Sequence, residues 1–95
     1  MAMLLKIDGS SVEVEPGGPL TVEWLQGLVE GYVELVRCAD GSAFAVDVRR
    51  SVLLEAPFNR VATLLAVAKG CLGVGAVGLR GPVVFLSAAD VRGFR

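Results

Sequence analysis

The sequence contains no histidine, which removes the commonest general base and metal ligand near neutral pH. No Ser/His/Asp arrangement can therefore be assembled, and no Walker loop is present. Cysteine is scarce. Cys38 and Cys71 stand 33 positions apart without CxxC spacing and read as small buried or half-buried thiols. No base is at hand to activate Cys38 as a nucleophile. No uninterrupted apolar run is long enough for a membrane span. Residues 61–79 come nearest, but Lys69 sits in the middle, and Gly70, Gly73, Gly75 and Gly78 crowd the second half. No secretory leader is expected, because Lys6 and Asp8 interrupt the apolar start, and the expected location is cytoplasmic.

What is abundant is apolar surface. Hydrophobic residues make up 54% of the 95 positions, and the mean hydropathy is +0.64. One domain covering residues 1–95 is expected from this length. A domain so small has too little interior to hide that much apolar area. Part of it is expected in an interface, as a homo-oligomer or against a host protein. The net charge is −1, unevenly spread. Residues 1–47 carry −6, and residues 48–95 carry +5. The basic residues are scattered and not interleaved with aromatics, so the two halves are expected to pack together and nucleic-acid binding is not expected.

The central stretch reads as a β-hairpin. Residues 31–37 and 43–48 alternate in character around Asp40-Gly41, a dipeptide suited to a two-residue turn. That turn pairs Arg37 with Phe44, Leu35 with Val46 and Val33 with Val48. On the other face it sets Val36 against Ala45, Glu34 against Asp47 and Tyr32 against Arg49. Like charges directly opposite each other destabilise a sheet. The Glu34–Asp47 pair has a functional reading, a carboxylate site for a cation, a partner arginine or acid–base work. It also has a structural one: a solvated face neutralised by Arg49 or Arg50, or a longer turn that shifts the register.

Before this hairpin, residues 3–7 and 11–15 form a first one around Asp8-Gly9, with Val12 and Val14 on one face. Pro16-Gly17-Gly18-Pro19 is a stiff loop. Thr21 is placed to cap a helix whose buried stripe is Trp24, Leu25, Leu28 and Val29, with Leu20 stapled to Leu25 and Gly31 closing the helix. Val52-Leu53-Leu54 is an apolar run. Asn59 is placed to cap a second helix over residues 60–69, stopped by Gly70. In it Val61, Leu64, Leu65 and Ala68 recur at i, i+3, i+4 and i+7, which sends that face to the core. Asn59 and Thr63 lie one turn apart and form either a small polar site or a plain cap. Residues 81–86 read as a buried strand, followed by a short helical turn capped by Ser87 with Asp90 three positions on.

Gly73-Val74-Gly75-Ala76-Val77-Gly78 matches GxGxxG, but the dinucleotide fingerprint needs a strand before it and a helix after it. Here the order is reversed, and Asp90 lies too near to serve the ribose. The motif reads as a glycine-rich connection.

Gly31-Tyr32-Val33-Glu34, Val46-Asp47, Pro57-Phe58-Asn59 with Ala62-Thr63, and Gly81-Pro82-Val83-Val84 together resemble an uncharacterised family of small phage and plasmid proteins (domain of unknown function 3846). The resemblance covers residues 32–86 in order and spacing. It implies a phage or mobile-element origin and a cytoplasmic life inside a bacterium. It carries no catalytic set, cofactor or activity. The family often continues from the Asp with an acidic residue and a Gly, whereas this chain has Asp47-Val48-Arg49.

These readings converge on one α+β domain, a mostly antiparallel sheet of about five strands with two main helices on one face. The function expected is that of a non-enzymatic phage or mobile-element accessory protein working by protein–protein contact. The alternative is a small-ligand (nucleotide or metal) binder or enzyme using Tyr32, Glu34, Asp47, Asn59 and Thr63. No catalytic residue, cofactor or metal site is assigned.

Overall fold

Two Asp-Gly-Ser turns set the geometry of the sheet. In the first, Gly9 N–H donates to Lys6 O at 3.1 Å and Lys6 N–H to Ser10 O at 2.9 Å. In the second, Gly41 N–H donates to Cys38 O at 3.1 Å and Cys38 N–H to Ser42 O at 2.9 Å. Each loop therefore holds three residues, with the glycine at positive φ, 92° at Gly9 and 90° at Gly41. A type I turn closed by a left-handed glycine has this form. The serine supplies the third part. Asp8 Oδ1 accepts from Ser10 N–H, and Asp40 Oδ1 accepts from Ser42 N–H, at 2.8 and 2.9 Å.

The structure is a computed structural model and describes residues 2–15, 17, 20–47, 57–71 and 78–93. Within them the chain runs β1 (Ala2–Leu5), β2 (Ser11–Val14), α1 (Val22–Val29), β3 (Glu34–Arg37), β4 (Ala43–Val46), α2 (Arg60–Ala68), β5 (Val83–Leu86) and α3 (Ala88–Arg92). The strands form one antiparallel sheet in the order β2-β1-β5-β4-β3. The α+β class and the five-stranded sheet are as expected. Val52-Leu53-Leu54 and Gly73 to Val77 of the GxGxxG motif lie outside the described residues.

The three-residue turn shifts the expected register of the central hairpin by one. Glu34 pairs with Val46, Leu35 with Ala45, Val36 with Phe44 and Arg37 with Ala43. A one-residue slip moves every side chain to the opposite face relative to its partner strand. The longer turn is thus the reason that Glu34 does not face Asp47.

The two main helices lie on opposite faces rather than together. On one face Ala62 and Ala66 of α2 pack with Leu5, Phe44, Val46 and Val83. On the other, Leu25 and Val29 of α1 pack with Ala2, Ala45, Val84 and Leu86, and Val91 of α3 joins them. β4 is buried at every position, as a strand covered on both faces must be.

Local signals set the helix ends. Thr21 Oγ1 accepts from Trp24 N–H at 3.2 Å, and Leu20 is buried in the same cluster as Leu25. Ser87 and Asp90 make a reciprocal capping box despite the short aspartate side chain. The close of α1 differs from expectation. Glu30, not Gly31, takes the left-handed position, at φ 65°. Gly31 is needed for another reason, since a Cβ there would overlap Asp47 Oδ2.

Candidate functional site

The residues singled out from the sequence divide into two groups, and the structure does not join them. Asn59 is completely buried. Its Oδ1 caps α2 by accepting from Ala62 N–H at 3.1 Å. Its Nδ2 donates to Leu5 O at 2.9 Å and to Gly81 O at 2.8 Å. Thr63 works beside it: Oγ1 accepts from Leu79 N–H at 2.9 Å. Asn59 N–H donates to Leu79 O and Gly81 N–H to Pro57 O, both at 2.8 Å, around a Phe58–Arg80 bridge. Both amide hydrogens of Asn59 are thus spent on the fold, and the pair rivets the start of α2 to the end of β1 and the approach to β5.

That rivet sets the rotation of α2. Asn59, Ala62, Thr63 and Ala66 follow i, i+3, i+4 and i+7, and this is the face turned inward. The larger apolar residues, expected inside, turn outward instead. Leu64 is 57% exposed and Val61 36%, and Ala68 is exposed as well. Only Leu65 of the expected stripe keeps part of its surface against the core. The two inward alanines let the helix sit close to the sheet, and the hydrogen bonds of Asn59 and Thr63 fix which side that is.

Tyr32, Glu34 and Asp47 form the second group. Tyr32 is 64% exposed, and Glu34 is exposed at the edge strand β3. Asp47 is only 5% exposed and lies against Gly31, just past α1. Strand alternation puts Glu34 on the α2 side with Val36, and Asp47 on the α1 side with Ala45. The carboxylate pair expected from the sequence is not assembled. Among the described residues, no group of three or more Cys, Asp or Glu could hold a metal ion.

Cys38 and Cys71 are not free thiols. They form a disulfide that joins the end of β3 to the turn that follows α2, with Cα atoms 4.8 Å apart. Beside it Lys69 Nζ meets Asp40 Oδ2 at 3.3 Å and lies 5.1 Å from the centre of the Phe85 ring. Phe85 in turn lies 5.1 Å from Phe44, centre to centre. The Ser42 hydroxyl, the Ser42 backbone N–H and then Lys69 hold the Asp40 carboxyl below its ordinary 3.8, at about 2. The C-terminal end of α2 is therefore clamped to the second turn by a covalent bond and an ion pair. Sequence spacing gave no signal for this pairing, because the fold alone brings position 71 back to position 38.

Two surfaces stand out among the described residues. One is a half-open apolar groove of about 290 Å³ between the end of β1 and the end of α1, lined by Leu4, Ile7, Leu28 and Pro82 with Lys6, Asp8 and Glu30. The other is the outward side of α2. Among its nine residues Arg60 is the one with formal charge and Thr63 the one polar side chain, already bonded to Leu79. A helix apolar all round is normally buried all round. Among the described residues, this one is packed on one side. The signal was present in the sequence, since Val61, Leu64, Leu65, Val67 and Ala68 leave no polar face for water.

Comparison with family models, with curated proteins and with solved structures finds no match. No helix of the described residues is long and apolar enough to cross a membrane.

Proposed function

We propose that this chain is a non-enzymatic accessory protein of a phage or mobile element that works by protein–protein contact, through self-association or docking on a host protein. The observation that carries this reading is the outward face of α2. It is apolar, exposed and held rigidly by the Asn59 rivet at one end and the Cys38–Cys71 bridge at the other. Exposed apolar surface fixed on a rigid element is what a contact site requires, and its burial supplies the driving force. The excess of hydrophobic residues over what 95 residues can bury supports the same reading. The phage or mobile-element origin rests on the resemblance over residues 32–86.

The resemblance also suggests the host cytoplasm as the place of action. The disulfide weighs on the other side, because structural disulfides are rare in reducing cytosol. Thiol alkylation in freshly lysed host cells separates the two: rapid labelling of Cys38 and Cys71 supports the cytoplasm, and protection until reductant is added supports an oxidising compartment.

Native mass spectrometry on gently purified protein tests the reading. A mass equal to two or more chains supports it. Added mass of nucleotide or metal size on each single chain contradicts it and turns attention to the ligand alternative.

A further inference from the structure

The two ends of α2 are fastened to the rest of the fold by different chemistry. The N-terminal end is held by hydrogen bonds, from Asn59 Nδ2 to Leu5 O and Gly81 O and from Leu79 N–H to Thr63 Oγ1. None of these depends on redox state. The C-terminal end is tied to the β3–β4 hairpin by the Cys38–Cys71 bridge. Among the described residues, the other polar tie at that end is the Lys69–Asp40 pair, whose side chains are 30% and 55% exposed, with Lys69 also over the Phe85 ring. An ion pair this exposed contributes little. Beneath the same end lie Ala66 and part of Leu65. An alanine buries little apolar area.

The helix end is also closed within itself. Gly70 stands at φ 75°. Its N–H donates to Val67 O at 3.0 Å, and Cys71 N–H donates to Ala66 O at 2.9 Å. These are the paired bonds of a Schellman motif, with Gly70 at C′ and Cys71 at C″. The last turn is therefore capped by its own backbone, and the bridge is not needed to keep it wound. What the bridge fixes is where the helix end lies.

We infer that Cys38–Cys71 is a redox latch: a dithiol reductant opens it, and α2 then swings as one body about Asn59, lifting its C-terminal end from the sheet. The latch does not depend on what α2 contacts. The two sulfurs differ in access. Cys38 is 8% exposed, inside the cluster of Phe44, Val46, Ala62 and Ala66, whereas Cys71 is half-buried at its edge. The thiolate of the reductant therefore attacks Cys71 Sγ. The Sγ–Sγ bond breaks, Cys38 leaves with the electron pair and takes a proton, and Cys71 is held in a mixed disulfide. The second thiol of the reductant, as thiolate, attacks the reductant sulfur of that mixed disulfide and releases Cys71, which takes the second proton. Two electrons and two protons pass to the protein, and the dithiol becomes a cyclic disulfide. With the bridge open, the surviving ties favour the docked end by at most ~100-fold.

The test uses the full chain, oxidised and after reduction with dithiothreitol under native conditions, the reductant then being removed without air. Two readouts are taken: iodoacetamide alkylation of each cysteine by peptide mass, and amide hydrogen exchange by NMR. In the reduced chain Cys38 is expected to react within ~100-fold of the Cys71 rate. That ratio is expected to stay flat in low urea, because a hinge motion exposes little surface. The N–H groups of Lys69 and Cys71, bonded to Leu65 O and Ala66 O, and of Cys38, bonded to Ser42 O, are expected to keep their protection. A Cys38 that reacts more slowly, or at a rate that climbs steeply with urea, shows that the end stays docked without the bridge and overturns the latch. A bridge that dithiothreitol reduces only in denaturant overturns it as well. Lost protection at Lys69 and Cys71 means that the helix unwinds rather than swings, and lost protection at Cys38 means that the hairpin frays. Either result overturns the pivot, as does a loss of helical circular dichroism on reduction.

Discussion

Asn59 Nδ2 donates to the carbonyl oxygen of Leu5 at 2.9 Å, across 54 positions of sequence. The same amide also binds Gly81 O, and its own oxygen caps α2. One side chain thus orients the helix whose outer face carries the proposed contact.

Asn59→Ala is expected to cost about 2–4 kcal/mol, combining a lost cap with buried carbonyls left unpaired. Chemical denaturation measures it. Asn59→Ser keeps a short cap acceptor and is expected to recover about 1 kcal/mol of that loss. If Asn59→Ala leaves stability unchanged and abolishes ligand binding, Asn59 belongs to a ligand site and the rivet is wrong.

Gly31 and Asp47 are coupled by space. Gly31→Ala drives a methyl group onto Asp47 Oδ2 and is expected to destabilise by about 1–3 kcal/mol through overpacking. Adding Asp47→Ala makes room, so the double variant is expected to lose less than the two single losses combined. Additive losses in the cycle would place the two residues out of contact.

The Cys38–Cys71 bridge closes a loop of 33 positions. Replacing both cysteines with serine is expected to cost about 3–4 kcal/mol by the chain-entropy relation. The measurement is the denaturation midpoint of the double variant against the oxidised wild type. Equal midpoints would mean that the bridge constrains nothing.

Asp40 gives a pH signature. Its carboxyl is held at about 2, first by the Ser42 hydroxyl, then by the Ser42 N–H, with Lys69 adding to the effect. The folded value lies below the unfolded 3.8, so the folded state favours the ionised form. Its contribution is complete above the unfolded value and is lost as pH falls from 3.8 through about 2. Asp40→Asn is expected to flatten the stability profile in that window. An unchanged profile would show that the turn does not depend on the charge.

Much of the fold was legible because local chemistry and tertiary packing agree. Thr21, Asn59 and Ser87 cap the helices expected of them, and the run at 83–86 is a buried strand. The differences have separate causes. Asp40-Gly41 was read as a dipeptide, although Ser42 makes it the end of a three-residue loop, as Ser10 does after Asp8-Gly9. That serine was the visible signal for the longer turn, the structural reading of the Glu34–Asp47 pair, and with it Glu34 pairs with Val46. On α2, size ranked Val61 and Leu64 as core residues. A buried amide outranked size, because two hydrogen bonds to distant carbonyls fix the helix rotation and alanines suffice beneath it. The disulfide left no local trace. The helix faces, α1 on one side and α2 on the other, depend on crossovers that periodicity does not encode.

Sedimentation velocity of the wild-type chain, run from submicromolar to several hundred micromolar, tests the central claim most directly. The account predicts a sedimentation coefficient that rises with concentration from that of a 9.9 kDa monomer, or a monomer that retains a partner protein. A single monomeric species over the whole range, with no partner protein retained, would contradict it.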